Sequence, residues 1–571
     1  MKPEIRRSFS IGLALVACAA AILVPPLAGR WLLLLAGALL LIETTSHRFF
    51  ASRRVVGLGL LALVLACGWT VYYQPGAPVD LFEDGLTLGP ALAYLQGARP
   101  YVETYPVHGW GADGGFDALF FRTVGPSLQT LRLRRAAVTA LALAALALCA
   151  YSLFESIRWA AVALTASLCL CPFVSERQAL ALGALALLLR AARRERPGLW
   201  LWGGVLSGAA LFFSLDFGLI ALAGGISAGL ALSLLAKRDR GRPALCGALW
   251  LAVGAAIGAL PFFFILARER ALGAFFRVSF REIPVLVSET WGLPAGSATL
   301  AVRETSLWKF PALLATGEVM PALFLLLLLA AAMTLLLFRA ASGPLTSTDR
   351  AAAVAVAFAA VALRGLLGRA DAGHSSLYGI FIGLAAAWLL YRARRRPLVA
   401  AVLLLGLSLR LHPRATLLLE WHAIQASRPS RDALLEQGSR VPRGGGARLP
   451  RAQAEELSDL RRYFDGQLSS RETFFDFGNE PGLYFFLERR SPVRYAAVPL
   501  YEPPDRQQEV LAALERDRTP LAILSSGTSL DAFDGVASRR RAPLVAAYLD
   551  AHYSTVAVVA GRTIARRNPG S

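Results

Sequence analysis

The chain has 571 residues, of which 56% are hydrophobic and 17% are charged, and its formal net charge is +20. Such a high apolar content excludes an ordinary soluble protein and indicates a polytopic membrane protein. The net charge does not indicate a nucleic-acid partner, because the basic residues punctuate apolar segments instead of forming one patch. From residue 412 onward, 22 basic and 19 acidic residues nearly cancel, so most of the excess charge belongs to the apolar part.

Apolar stretches of about 17 to 25 residues can cross a bilayer, and shorter ones can be tilted or partly re-entrant helices. The sequence contains about thirteen of them: 9–28, 31–43, 55–73, 136–154, 158–174, 178–190, 198–213, 217–236, 244–267, 317–338, 350–367, 375–392 and 397–411. The first includes Cys18 in a run that resembles a lipoprotein cleavage box. Because the apolar run continues past Cys18, we interpret it as an uncleaved helix.

The positions of the arginines predict the topology. If the basic N-terminus is cytoplasmic, the arginine-rich connections also become cytoplasmic, as the positive-inside rule requires. Four polar regions then share the extracytoplasmic face: the loops 74–135 and 268–316, the turn 369–374, and the chain after residue 411. This arrangement predicts a multi-pass protein of the bacterial inner (plasma) membrane with a cytoplasmic N-terminus.

The chain after the last apolar stretch has a different composition. Residues 412–450 form a polar linker, and residues 451–571 contain alternating strand-like and helix-like pieces. The predicted fold is therefore an α-helical polytopic membrane domain, 1–411, followed by a small extracytoplasmic α/β domain.

A cluster of carboxylates, Asp80, Glu83 and Asp84, follows the third apolar stretch. Their i, i+3, i+4 spacing places them on one face of a helix predicted over 81–96. In one interpretation Asp80 is the N-cap and Glu83 completes a capping box, with Asp84 favoured by the helix dipole. In another, a carboxylate is a general base. The two are compatible, and the capping argument favours Asp84 as the base.

The residues around this cluster resemble the first extracytoplasmic loop of the GT-C superfamily of membrane glycosyltransferases. The resemblance consists of the acidic pair, a glycine and an apolar helix, followed by Gly97-Ala-Arg-Pro100-Tyr101, Tyr105-Pro-Val-His108-Gly109 and Val124-Gly-Pro-Ser-Leu-Gln-Thr-Leu-Arg132. It covers about sixty residues as a motif and most of the chain as an architecture. It implies a polyprenyl-phosphate-sugar donor, membrane lipids around the protein and an unnamed acceptor, with an acidic residue at the start of this loop as catalytic base.

Two features depart from the family pattern. The acidic pair is Glu83-Asp84, the reverse of the usual order, so either residue can be the base. The segment 214–218 has no Lys or Arg for the donor phosphate, so another cation must replace it. Arginine suits phosphate because its planar fork matches the oxygens. The candidates are Arg268, Arg270, Arg277, Arg281, Arg303, Lys309 and Arg369, of which we favour Arg277, Arg281 and Arg369.

Several other polar residues are candidate substrate ligands: Asp80, Tyr101, Tyr105, His108, Asp113, Asp371 and His374. Asp371 or His374 can bind sugar hydroxyls, or hold a divalent cation such as Mg²⁺ or Mn²⁺ together with the acidic loop. A structural alternative is a solvated turn in which His374 caps the next helix. No residue is assigned as a metal ligand.

Two other functions remain compatible with the sequence. A flippase or exporter of a lipid-linked sugar would need charged residues within its spans, and Asp216 is a lone candidate. A catalytically inactive relative would serve as a scaffold, which the reversed acidic pair and the missing cation allow.

Overall fold

The structure is a computed structural model that describes residues 76–170, 174–235, 241–287, 319–368, 372–394 and 443–570, with short pieces at 64–65, 436–437 and 441. The chain divides into two compact units. One unit comprises Met1–Tyr73, Arg135–Pro261 and Pro294–Ala423, and the other comprises Gln74–Arg134, Phe262–Leu293 and Ile424–Ser571. The extracytoplasmic loops predicted at 74–135 and 268–316 therefore group, as far as they are described, with the C-terminal part of the chain.

The described residues are mostly helical. The α-helices are α1 (Gly85–Leu95), α2 (Phe116–Val124), α3 (Leu128–Phe154), α4 (Ile157–Leu170), α5 (Ala179–Arg194), α6 (Pro197–Phe213), α7 (Leu215–Leu235), α8 (Gly241–Arg268), α9 (Leu272–Arg277), α10 (Ile283–Val285), α11 (Val319–Ser342), α12 (Ser347–Gly368), α13 (Ala372–Ala393), α14 (Arg451–Gln467), α15 (Gly482–Phe486), α16 (Pro504–Asp517), α17 (Ser538–Arg541) and α18 (Pro543–His552). The strands are β1 (Glu436–Gln437), β2 (Arg448–Leu449), β3 (Phe474–Asp476), β4 (Leu521–Ser525), β5 (Tyr553–Val559) and β6 (Arg562–Arg567).

Helices of the first unit occupy the positions of the predicted apolar spans. In the described ranges, α3 to α8 and α11 to α13 coincide with nine predicted spans, with ends that differ by up to four residues except at α3, which begins eight residues earlier than its span. Four helices in these ranges are long and apolar enough to cross a membrane: Leu128–Phe154, Leu215–Leu235, Leu245–Arg268 and Phe324–Ser342. The predicted spans 9–28, 31–43 and 397–411, and nearly all of 55–73, lie outside the described residues.

Glycines bring two of these helices into backbone contact. A Cβ atom added to Gly204 of α6 would lie 2.1 Å from the carbonyl oxygen of Leu251, and one added to Gly258 of α8 would lie 2.0 Å from that of Val205. Small residues permit such close packing between apolar helices.

Arginines join the connections at one end of the first unit. Nη2 of Arg194, at the end of α5, lies 2.8 Å from Oε1 of Glu155, which follows α3. Nη2 of Arg350, near the start of α12, lies 3.1 Å from Oε1 of Glu195. The predicted alternation of the spans assigns the connections that contain Glu155, Arg194 and Arg350 to the same side. In the structure these connections lie at one end of the first unit.

A different polar cluster lies at the opposite end of α5. Arg177, just before α5, donates through Nη2 to Oδ2 of Asp216 at 2.6 Å. The same carboxylate accepts from Ser214 Oγ at 2.6 Å and from the Tyr378 hydroxyl at 3.2 Å. The connection before α5, the start of α7 and the start of α13 are therefore adjacent, which agrees with the predicted alternation.

The second unit is built around a four-stranded sheet with the order β3-β4-β6-β5. Strands β3 and β4 are parallel, and the other neighbours are antiparallel. Phe464 of α14 packs on Phe474 of β3, with ring centroids 4.6 Å apart. The same buried core includes Leu88 and Leu92 of α1. The C-terminal sheet agrees with the α/β prediction for this region, although the last strand-like piece of the sequence, 555–560, ends before β6.

Candidate active site

The carboxylates Asp80, Glu83 and Asp84 form a turn immediately before α1. Oδ1 of Asp80 accepts hydrogen bonds from the amides of Phe82 and Glu83, both at 2.9 Å. Oδ2 of Asp84 accepts from the amide of Asp80 at 3.1 Å. Glu83 is exposed, while Asp84 is half-buried. We call residues 80–84 the acidic turn.

The capping prediction is wrong for α1, because the N-cap of this helix is Asp84 and not Asp80. Helix α1 begins at Gly85, not at residue 81, and residues 81–84 form a turn. The Asp80 carboxylate accepts from the amides of Phe82 and Glu83, and the amide of Asp80 donates to the carboxylate of Asp84. The capping argument therefore no longer favours Asp84 as the base, and Glu83 is the more exposed of the two carboxylates.

The C-terminal part of the second unit holds the acidic turn in place. The amide of Gly482 donates to the carbonyl of Leu81 at 2.9 Å. A Cβ atom on Gly85 would lie 2.2 Å from the nitrogen of Gly482, so the two backbones are in direct contact. On the other side, the ring of Phe82 lies 4.4 Å from that of Phe533. The turn is thus fixed by residues about 400 positions away in the sequence.

The acidic turn lies at the carboxyl edge of the two parallel strands. Gly482 follows β3 and Phe533 follows β4, and both contact the turn. Ligands of open α/β sheets bind in the crevice outside the carboxyl ends of parallel strands. The candidate base therefore lies at the carboxyl edge of the one parallel pair among the described strands of this sheet.

Buried charges stabilise the loop between β3 and Gly482. The carboxylate of Asp476 accepts from the amides of Gly478 at 2.8 Å and Glu480 at 2.6 Å. Burial, and then the negative charge of Glu480, raises the pKa of Asp476 to about 7. Glu480 forms a two-point ion pair with Arg562 of β6, with contacts of 2.9 and 2.7 Å. The side chains of Glu480 and Arg562 are almost completely buried. These groups therefore fix the loop from its buried side.

His108 and Asp113 form a second polar pair beside α1. The Asp113 carboxylate accepts from the backbone amide of His108 at 2.8 Å, and its Oδ1 lies 2.9 Å from Nδ1 of the same residue. Asp113 is 6% exposed. If Nδ1 carries the proton, Nε2 of His108 is an acceptor, so the pair can bind a hydroxyl group.

The glycines around Asp113 bend the chain around α1. Gly114 has φ +92°, and a Cβ atom there would lie 2.5 Å from both the nitrogen of Ala91 and the carbonyl oxygen of Thr87. The Thr87 hydroxyl lies 3.4 Å from the carbonyl of Ala112, its hydrogen-bond acceptor. Glycine at position 114 therefore permits a close approach of the backbone to α1.

Tyr101 and Tyr105 occupy two different surroundings. Tyr101 is buried, its hydroxyl accepts from the amide of Trp110 at 3.2 Å, and its ring packs edge-on against Phe275. The ring of Tyr105 is flanked by the guanidinium groups of Arg494 and Arg506, at 5.3 and 5.2 Å from the ring centroid. Burial raises the pKa of both tyrosines, so each stays a neutral hydroxyl. Neither makes a recorded contact with the acidic turn.

The two arginines that we favoured in the second loop, Arg277 and Arg281, differ in their acidic partners. Nε of Arg277 lies 3.2 Å from Oε1 of Glu282. Arg281 is exposed and has no acidic partner within the part of the loop that is described, 268–287. Arg268 contacts Glu269 only at 3.9 Å, and Arg270 is exposed. Arg281 is thus the better candidate phosphate ligand of the two that we favoured here.

The polar turn at 369–374 lies largely outside the described residues. Arg369 and Asp371, like Arg303 and Lys309, lie outside the described residues. His374 belongs to α13, but its side chain is also outside the description. In the ranges that are described, no group of three or more His, Cys, Asp or Glu side chains has the arrangement of a metal site.

Sequence reasoning missed the residues that organise the carboxyl edge of the sheet. Asp476 is the last residue of β3, and Asn479, Glu480 and Gly482 follow it within a run that also contains Gly478 and Pro481. Polar residues and glycines at the end of a predicted strand are a signal for a functional edge. The contact with residues 81–85 could not be found this way, because nothing local links the two segments.

A comparison with known protein families finds no matching family model, and a comparison with curated protein sequences finds no significant match.

Proposed function

We propose that the protein is a membrane glycosyltransferase of the GT-C type that transfers a sugar from a polyprenyl-phosphate donor to a lipid, glycan or protein acceptor. The main support is the position of the acidic turn at the carboxyl edge of β3 and β4, with Glu83 exposed. A carboxylate in this place is available to a ligand and can accept a proton from it.

In the proposed reaction, Glu83 removes the proton from an acceptor hydroxyl. The acceptor oxygen forms a bond to the anomeric carbon of the donor sugar while the bond from that carbon to the phosphate oxygen breaks. The electron pair leaves with the phosphate, polyprenyl phosphate is released, and the configuration at the anomeric carbon is inverted. General base catalysis of this kind contributes about 10²- to 10⁴-fold to a rate.

The leaving phosphate needs a positive partner. Arg281 suits this role because it is exposed and has no acidic partner in the described part of the second loop. Arg369 is the other candidate. A planar guanidinium can donate two parallel hydrogen bonds to phosphate oxygens.

The proposed site is extracytoplasmic. The positive-inside rule assigns the arginine-rich end of the first unit, which includes Arg194 and Arg350, to the cytoplasm. The other end, with Arg177 and Asp216, then faces outward. We therefore propose that the protein belongs to the bacterial inner membrane and that its C-terminal region is outside the cytoplasm.

The experiment uses the full-length protein in lipid vesicles with a radiolabelled polyprenyl-phosphate sugar and a bacterial envelope extract as acceptor. Wild type is expected to form a labelled product, and the Glu83→Gln/Asp84→Asn double variant is expected to form at least a hundredfold less. Equal transfer by the double variant would refute the proposed base, and a lack of transfer by the wild type would refute the proposed function.

Transport of the lipid-linked sugar has less support. The charged residue that suggested it, Asp216, lies in the first turn of α7 and is ion-paired with Arg177 at 2.6 Å. A transport site would instead use charged groups near the middle of the spans. Movement of labelled donor across the vesicle membrane without product formation would favour a flippase, and neither movement nor transfer would favour the inactive scaffold.

A further inference from the structure

A large cavity lies in the second unit, away from the acidic turn. Its volume is about 920 Å³, within the range of about 300 to 1,000 Å³ that is usual for small-molecule sites. Residues 470–473 and 516–520, which lead into the amino ends of β3 and β4, line it, together with 488–495 and residues just after α1. The cavity therefore lies at the amino ends of the parallel strands, whereas the acidic turn lies at their carboxyl ends.

The cavity has an excess of positive charge that its own carboxylates do not neutralise. Six arginines and five acidic residues line it. Each acidic residue has an ionic or hydrogen-bond partner: Glu103 with Arg490 at 3.5 Å, Glu472 with the amide of Ser469 at 2.8 Å, Glu488 with Arg443 at 3.0 Å, Glu509 with Arg494 at 2.7 Å and Asp517 with Arg516 at 2.8 Å. By contrast, Arg471 and Arg518 have no acidic partner within the described ranges. The two can therefore bind an added anion without losing an existing ion pair.

A buried hydroxyl adds a second kind of ligand group. Thr519 lines the cavity and is completely buried, and its Oγ1 has no hydrogen-bond partner among the described residues. A buried polar atom without a partner costs roughly 1 to 3 kcal/mol, which a ligand hydroxyl would recover. The cavity thus presents hydroxyl-binding and anion-binding groups together, and these suit a saccharide that carries negative charge.

The position of the cavity relates it to the proposed reaction. Asp84 and Gln96 are 12 residues apart along α1, which is about 18 Å at 1.5 Å per residue. A single sugar in the large cavity could not reach the acidic turn, but a chain of several sugars could.

We propose that this cavity binds the acceptor, and that the acceptor is an anionic oligosaccharide whose charge comes from carboxylate or phosphate groups. The identification of this ligand as an acceptor rests on the proposed glycosyl transfer. Binding itself does not, and it can be measured without a donor. Failure of one proposal is therefore distinguishable from failure of the other.

The test measures binding to the full-length protein in nanodiscs by calorimetry. The probes are trigalacturonic acid, neutral maltotriose of the same length, maltotriose phosphate and inorganic phosphate. We expect saturable binding of one or both anionic saccharides and at least tenfold weaker binding of maltotriose and inorganic phosphate. The better of the two anionic saccharides identifies carboxylate or phosphate as the source of charge.

Charge-reversal variants locate the binding. Arg471→Glu and Arg518→Glu should each weaken binding of the anionic saccharide about tenfold or more. Arg540→Glu is the matched control, because Arg540 is also exposed but does not line the cavity, and it should leave binding unchanged. The proposal is overturned if no anionic saccharide binds, if maltotriose binds equally well, or if Arg540→Glu weakens binding as much as the other two. If binding meets these criteria and the wild type shows no sugar transfer, the cavity is a saccharide-binding site and the proposed glycosyltransferase activity is refuted.

Discussion

The backbone amide of Gly482 donates a hydrogen bond of 2.9 Å to the carbonyl of Leu81, and this bond joins the C-terminal sheet to the acidic turn. Gly85 also contacts Gly482. A substitution at either glycine therefore moves the carboxylates of Glu83 and Asp84 but leaves these two side chains themselves unchanged. The C-terminal region is thus a support for the candidate base, in addition to forming a core of its own.

The first prediction separates the two candidate bases. Glu83→Gln removes an exposed carboxylate and should lower kcat by about 10² to 10⁴. Asp84→Asn keeps an oxygen that can accept from the amide of Asp80, so its effect should be below about tenfold. Transfer kinetics of the single variants measure this. A deeper loss in Asp84→Asn than in Glu83→Gln would assign the base to Asp84.

The second prediction concerns the contact between Gly85 and Gly482. Gly85→Ala introduces a Cβ atom 2.2 Å from a backbone nitrogen, so the acidic turn must shift. Displacement of a catalytic group by about 1 Å can cost about a hundredfold in rate, and we expect a loss of that size in kcat with a smaller change in KM. Steady-state kinetics of the reconstituted protein test it.

Gly466→Ala is the control for this substitution. Gly466 lies within α14, and an added Cβ atom there meets no atom within 4 Å. Alanine in a helix interior is favoured over glycine by up to about 1 kcal/mol, so this variant should be active and equally or more stable. A fully active Gly85→Ala variant would show that the contact does not position the base.

Sequence patterns predicted the helices because hydropathy is a local signal, and they predicted which helix ends meet because arginines mark one side. The pairs Arg194–Glu155 and Arg177–Asp216 lie at opposite ends of α5, as the alternation requires. The start of α1 at Gly85 was missed, because the turn before it is shaped by Gly482. Strand β6 was missed because Arg562, Arg566 and Arg567 obscure its apolar pattern.

The third prediction concerns the buried pair Glu480–Arg562. Arg562→Met leaves the Glu480 carboxylate buried without its partner, which typically costs about 3 to 5 kcal/mol of stability. Glu480→Gln should cost less, because Arg562 also contacts Glu456. Thermal unfolding of the two variants tests this order. Because Glu480 precedes Gly482 by two residues, transfer should also fall in Arg562→Met. Equal stability of Arg562→Met and wild type would contradict a structural role for the pair.

The fourth prediction is a pH dependence of stability that originates at Asp476. Burial, and secondly the charge of Glu480, raises the pKa of this carboxyl from 3.8 to about 7. Between these values the folded protein holds a proton that the unfolded chain releases. The stabilisation is therefore complete below about pH 4 and is lost as the pH rises through about 7. Each unit of pH in this range changes the free energy of unfolding by at most about 1.4 kcal/mol.

Asp476→Asn removes this titration. The test is therefore how the difference in stability between the variant and wild type changes with pH. Between pH 5 and pH 7.5, wild type should lose stability relative to Asp476→Asn, as measured by thermal unfolding of the full-length protein. Glu472→Gln is the control, because a hydrogen bond from Ser469 lowers the pKa of Glu472 and its contribution is lost only in more acidic solution. A difference between Asp476→Asn and wild type that stays constant from pH 5 to pH 7.5 would show that Asp476 is ionised throughout and that its two amide hydrogen bonds outweigh its burial.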